Sequence, residues 1–252
     1  MGLSRLKLAT LGQLKSSKRA FYKADNTAEV LPETDTSKED NLNGTTLTEA
    51  ENRFDLVAKR ISQHKDYKVS KDQTSGYGSF MGRPIIAETT TILGGIYLGV
   101  EPHEAIVVDE KYGFLSQAYS ELMLRYVKNF GTTKNEAMDH ELIKEVINFT
   151  KTKLTYLSDN DFKIFAEREK IIPDQKIALD VFIKFKQGTD RHHLLLAAYL
   201  IEKLIKKGHL RGKLYLDSHY FSNKQGNKKS LERLVYSSRT GYLFIYTPSA
   251  EN

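Results

Sequence analysis

Apolar residues fall into helical stripes through the middle of the chain and into short extended runs near its end. Leu115, Ala118, Tyr119, Leu122, Tyr126 and Val127 recur every three or four positions, which predicts an amphipathic helix closed by Gly131. Thr133 and Glu136 have the spacing of a capping box, and the helix they open buries Leu142, Val146 and Phe149. Asp190 to Lys207 predicts a further helix, stopped by Gly208. Its unbroken apolar run from Leu194 to Ile201 predicts neighbours on most sides. Arg211–Asp217, Leu231–Ser238 and Tyr242–Thr247 are short and rich in Leu, Tyr, Val and Ile, so they predict strands. Ser238-Arg239-Thr240-Gly241 is the hairpin turn between the last two.

The weaker patterns lie upstream. Phe54, Val57, Ala58 and Ile61 have helical spacing, and Gly76-Tyr77-Gly78 with Gly82-Arg83-Pro84 mark a loop. Residues 84–99 are apolar with Thr89, Thr90 and Thr91, and predict a helix broken near Gly94-Gly95. Glu101-Pro102 reads as a helix start, because proline is tolerated in the first turn. Residues 174–187 predict a short helix leading into Gly188. Helices first, then a buried helix, then an antiparallel sheet make an α+β domain over residues 51–252.

Two segments of different character precede that domain. Residues 1–22 form a basic segment carrying Arg5, Lys7, Lys15, Lys18 and Arg19, with Leu3, Leu6, Leu11 and Leu14 on one possible helical face. Residues 23–50 are acidic and polar, with too little apolar surface to offset the conformational entropy of folding, and read as a disordered linker. Neither the compact apolar core of a secretory signal nor a run long enough to span a bilayer is present, so a soluble protein is expected, in a bacterial cytoplasm or delivered by a non-classical route.

Composition narrows the chemistry. The 252 residues contain no cysteine, which excludes disulfides, thiolate metal sites and a thiol nucleophile. The net charge of +6 favours anionic partners in general. Lys203, Lys206, Lys207, Arg211, Lys213, Lys224, Lys228, Lys229 and Arg233 concentrate that charge, with Tyr215, Tyr220 and Phe221 available for stacking, so a nucleic-acid or acidic-membrane binder is one alternative. No cofactor motif is present: the glycines of residues 76–82 lack the dinucleotide spacing, and His103-Glu104 lacks the second histidine of a zinc motif.

One set of residues carries a family resemblance. It comprises Ile177-Ala178-Leu179-Asp180, then Gly188-Thr189-Asp190-Arg191-His192-His193-Leu194-Leu195-Leu196, and a final hairpin ending Phe244-Ile245-Tyr246-Thr247-Pro248. Together these resemble the transglutaminase-like branch of the papain-type cysteine enzymes, over roughly the last third of the chain. The resemblance implies a transglutaminase-like core, in which a central buried helix packs on a C-terminal antiparallel sheet. It also implies a cysteine opening that helix, a histidine on a following strand and an aspartate on the next.

In this sequence the cysteine position falls on Asp190, the histidine position near Leu231 and the aspartate position on Thr247. A carboxylate is a poor attacker of amides, and as an N-cap Asp190 would stabilise the helix by about 1 kcal/mol. No histidine lies between His219 and the end, and threonine carries no charge to support an imidazolium. The resemblance therefore implies a non-catalytic relative that binds or regulates a protein partner, an effector-type module by family analogy, with no cofactor or metal. Arg191 and His192 match the family's Arg-His pair, whose bonding is expected to be structural. An alternative is an active hydrolase or transferase with a rebuilt Asp/His site on Asp190, His192 and His219; Arg191, His192, His193 and His219 are the candidate pocket residues, and His209 and His219 with Asp217 are candidates for an acid–base or metal group.

Overall fold

In the computed structural model, the described residues are Tyr67–Lys68 and 78–248, apart from 87–90, 100–102, 131–135, 223–227 and 240–242. The basic segment, the acidic linker and the helix expected around Phe54 lie outside them, as do Gly131 and Thr133.

The first strands are short. β1 (Tyr67–Lys68), β2 (Ser79–Phe80) and β3 (Arg83–Pro84) form one antiparallel sheet. The β2–β3 turn is Met81-Gly82, both with positive φ, as a two-residue hairpin turn requires. β4 (Ile96–Tyr97) pairs antiparallel with β5 (Ala105–Val107), which pairs in parallel with β7 (Lys176–Ala178). Between β5 and β7 come α1 (Phe114–Phe130), α2 (Glu136–Lys153), β6 (Thr155–Tyr156) and α3 (Asp159–Arg168). After β7 follow α4 (Leu179–Phe185), β8 (Gln187–Gly188), which pairs in parallel with β6, and α5 (Asp190–Lys206). β9 (Gly212–Ser222), β10 (Lys228–Ser238) and β11 (Leu243–Tyr246) close the chain as an antiparallel sheet in the order β11-β10-β9.

The architecture is α+β, and α5 is its centre. Every residue from His192 to Ile201 is buried, and so is Leu204. Leu115 and Leu122 of α1, Val146 and Phe149 of α2, Phe182 of α4, and Leu234, Tyr236, Phe244 and Tyr246 of the last sheet share one core with it. The unbroken apolar run of α5 follows from these neighbours: along that run no face of the helix meets water, so no polar stripe is needed there. Lys207 ends the helix and Gly208 takes a positive φ immediately after it.

A smaller core gathers Phe80, Ile85, Ile96, Leu98, Ala105 and Val107. β5 divides its side chains between the two cores, with Ala105 and Val107 in the smaller and Ile106 in the larger. This overturns two expectations. Among the described residues the 84–99 stretch contains β3, a bridge at Ile85 and β4, and no helix. The segment after Glu101-Pro102 is the strand β5: three consecutive apolar residues buried on both faces carry no alternation to distinguish a strand from a helix. Strands β9 and β10 also extend well past the spans expected from their apolar residues, because eleven paired positions hold them.

Carboxylates hold the helices to the loops. Buried Asp180, in the first turn of α4, accepts the backbone N–H of Leu115 at 2.7 Å and so caps α1. Glu202 of α5 accepts the backbone N–H groups of Ile92 and Leu93, both at 3.0 Å.

Candidate functional site

The start of α5 collects the candidate residues. Thr189 is extended and serves as the N-cap, which corrects the expectation for Asp190: that residue is the first helical position. The cap is reciprocal, with His192 in the place usually held by Glu or Gln: the backbone N–H of Thr189 donates to His192 Nδ1 at 3.0 Å. Gly188 makes this possible. A Cβ there would sit 2.8 Å from the Cβ of His192, so only glycine lets the ring fold back on the turn.

Because His192 Nδ1 accepts a backbone donor, the neutral ring carries its proton on Nε2, which lies 2.9 Å from Glu104 Oε1. Arg191 grips the same carboxylate with two bonds, Nε to Oε1 at 2.8 Å and a terminal nitrogen to Oε2 at 2.9 Å. Phe182 packs on the imidazole at 3.8 Å, and the Arg191 guanidinium lies 4.7 Å above the Phe162 ring. Burial opposes the charge on Glu104, but the His192 bond and the Arg191 guanidinium outweigh it and hold the carboxyl well below the usual range. Burial, only partly offset by Glu104, pulls His192 down to about 4. Protonating Nδ1 would also cost its bond from Thr189. The result is a neutral histidine beside a charged Arg–Glu pair, riveting α5 to the residue that leads into β5.

His193 points elsewhere, as the helical step of about 100° between neighbours dictates. It lies against Tyr156 of β6, ring centroids 6.1 Å apart, and burial pulls it down to about 4. Burial, followed by the charge of Asp190, pushes the Tyr156 hydroxyl upward. The buried hydroxyl of Tyr246, the last residue of β11, is pushed up by burial first and then by Asp190.

The remaining candidates separate. Leu231 pairs with His219 across β9 and β10, three positions from Leu234, whose partner is Tyr246. Thr247 follows Tyr246 directly. The side chains of Leu231, His219 and Asp217 lie outside the described residues, as do those of Lys224, Lys228 and Lys229. His209 sits in the turn before β9, and seven strand residues, about 23 Å of extended chain, separate Gly212 from His219. The strand therefore carries His219 away from His209. Among the described residues no three His, Asp or Glu side chains are placed to hold a metal ion.

No family model, curated protein or solved structure matches the chain.

Electrostatics at the other end of α5 are internally balanced. Lys203 pairs with Glu110, which also accepts the hydroxyl of Tyr199 at 2.7 Å, and Lys206 pairs with Glu202 at 3.2 Å. Two lysines of the basic cluster are thus engaged within the fold. No helix of the described residues is long and apolar enough to cross a membrane. Sequence reasoning took Glu104 only as part of an incomplete zinc motif and Tyr246 only as a hairpin residue, and passed over Tyr156. Glu104 had a visible signal as a lone carboxylate ahead of an apolar triplet, but its partner lies 87 residues away.

Proposed function

We propose that this chain is a transglutaminase-like domain without catalytic activity, acting as a protein-binding or regulatory module. One observation carries the reading: at the first turn of the central helix, where the related enzymes would need a free nucleophile and an available base, Arg191 and His192 are committed to holding the fold. His192 is locked between Thr189 and Glu104, and Arg191 grips the same Glu104 carboxylate with two bonds. Among the described residues neither His192 nor His193 is hydrogen-bonded to Asp190, which weighs against the rebuilt Asp/His alternative. The order of a buried helix followed by an antiparallel sheet, and the nearness of Asp190 to Tyr246 beside Thr247, support the resemblance.

Two assays test this. Purified protein is incubated with chromogenic amide and ester substrates and with a glutamine-donor and amine-acceptor pair. The expected rate equals that of the Asp190→Asn variant; turnover lost in that variant refutes the reading. In parallel, wild type and Asp190→Lys are used as bait in the source-cell extract. A protein retained by wild type alone, at salt high enough to suppress purely electrostatic binding, is the expected result. Retention of nothing, or of nucleic acid with steep salt dependence, refutes it.

A further inference from the structure

The last sheet has two edges, and they are finished differently. At one, β11 is buried along Phe244, Ile245 and Tyr246, so both of its faces are covered. At the other, β9 presents eleven residues whose ladder runs to β10 alone. Among the described residues no backbone hydrogen bond links β9 to a third element. Lys213 is exposed, and Leu214, Tyr215 and Leu216 are only half-buried. Leu214 and Leu216 pack against the large core from its margin, so the apolar layer under α5 stops short of full burial at this edge.

A long open edge is a template for another strand, and natural edges are blunted by proline, a bulge or an isolated charge. β9 has no proline, and its register with β10 is unbroken over eleven pairs, so it carries no bulge. Its one base of the lysine–arginine type, Lys213, and its one acid, Asp217, stand four positions apart and so belong to one face of the strand. In an antiparallel pair of identical strands centred on Tyr215, Lys213 of each copy stands opposite Asp217 of the other, and Leu214 stands opposite Leu216. Opposite charges directly across a ladder stabilise it, and like charges destabilise it. A register centred on Asp217 would pair all eleven residues but sets two aspartates face to face.

We propose that β9 is the contact between two copies of this chain, which pair antiparallel about Tyr215 and join their β11-β10-β9 sheets into one continuous sheet. The two-fold axis crosses the sheet at Tyr215 and keeps the same face of each half on the same side, so α5 of both copies lies over one layer. The half-buried Leu214 and Leu216 of one copy cover those of the other. An extended segment of an unrelated protein would need no such symmetry; the match of β9 to itself is what selects a second copy. The interface does not rest on the functional reading above, because it follows from the edge and its charge spacing alone.

Sedimentation velocity of the full chain over a range of concentrations, at physiological salt, reads the association. The wild type is expected to move from monomer toward dimer as concentration rises. Lys213→Asp and Asp217→Lys each turn both attractive pairs into repulsive ones, and each alone should weaken dimerisation about tenfold. Mixed in equal amounts they should form a heterodimer as tight as the wild-type dimer, because opposite charges again meet at both positions. The chain lacks cysteine, so Tyr215→Cys supplies a single thiol at the axis, where paired Cα atoms lie about 4.5–5.5 Å apart, within disulfide reach. It should oxidise to a covalent dimer. Lys213→Cys should not, because the two copies of that position are offset by about 13 Å along the strands. A wild type that stays monomeric at every concentration, a mixture that associates no better than either natively folded variant alone, or Tyr215→Cys cross-linking no faster than Lys213→Cys, would overturn the proposal.

Discussion

Replacing Glu104 by glutamine tests how much the buried node at the start of α5 contributes to the fold. The carboxylate receives bonds of 2.8 and 2.9 Å from Arg191 and lies 2.9 Å from His192 Nε2. The side chains are 2% exposed for Glu104, 11% for Arg191 and 0% for His192, so solvent screening is slight. Glutamine keeps the shape but sets an amide N–H₂ against donors and leaves the guanidinium without a counter-charge. Removing one partner of a buried pair costs about 3–5 kcal/mol, a large share of the roughly 5–15 kcal/mol that keeps a domain folded. Urea unfolding followed by circular dichroism should show a lower midpoint at unchanged slope. A Glu104→Leu/Arg191→Met double variant should lose less than the single one, because no charge is stranded. A loss below about 1 kcal/mol for Glu104→Gln, the scale of a surface pair, would refute the reasoning.

Acid should destabilise the protein through the same groups. Both histidines sit at about 4 in the fold against 6.5 ordinarily, so the unfolded chain binds their protons first. Stability is level above about pH 6.5 and falls toward pH 4 by at most about 3 kcal/mol per histidine, and a flat profile would contradict this. Glu104, held below its ordinary 4.5, adds a loss as the pH falls through and beneath that value. His193→Leu removes two unpartnered nitrogens and should stabilise by about 1 kcal/mol at pH 7 while flattening the acid profile; a loss greater than about 2 kcal/mol would show that the ring makes bonds. Gly188→Ala should cost about 1–3 kcal/mol by displacing the His192 ring, and unchanged thermal unfolding would contradict the 2.8 Å clash.

Periodicity exposed what is long and one-sided. The stripes of α1 and α2 and the apolar run of α5 were legible because each repeats over several turns against one core. α3 escaped notice: only Phe162 and Phe165 are buried in it, too few to set a period. β5 hid because its three residues serve two cores at once. At the candidate site, Asp190, Arg191, His192 and His193 stood out as a dense polar run opening an apolar helix. Glu104 and Tyr156 did not, since each meets that run only through chain folded back from a distant position. The cap fell on Thr189 for a local reason: the extended residue before the first helical one takes that role.

The strand β5 has a mechanical consequence. Its side chains alternate into both cores, and the residue before it is clamped by Arg191, so the small hairpin layer and the central helix share a single tie rod. Loosening one therefore slackens the other, and amides of β4 and of α5 should lose protection together as denaturant rises, as parts of one cooperative unit.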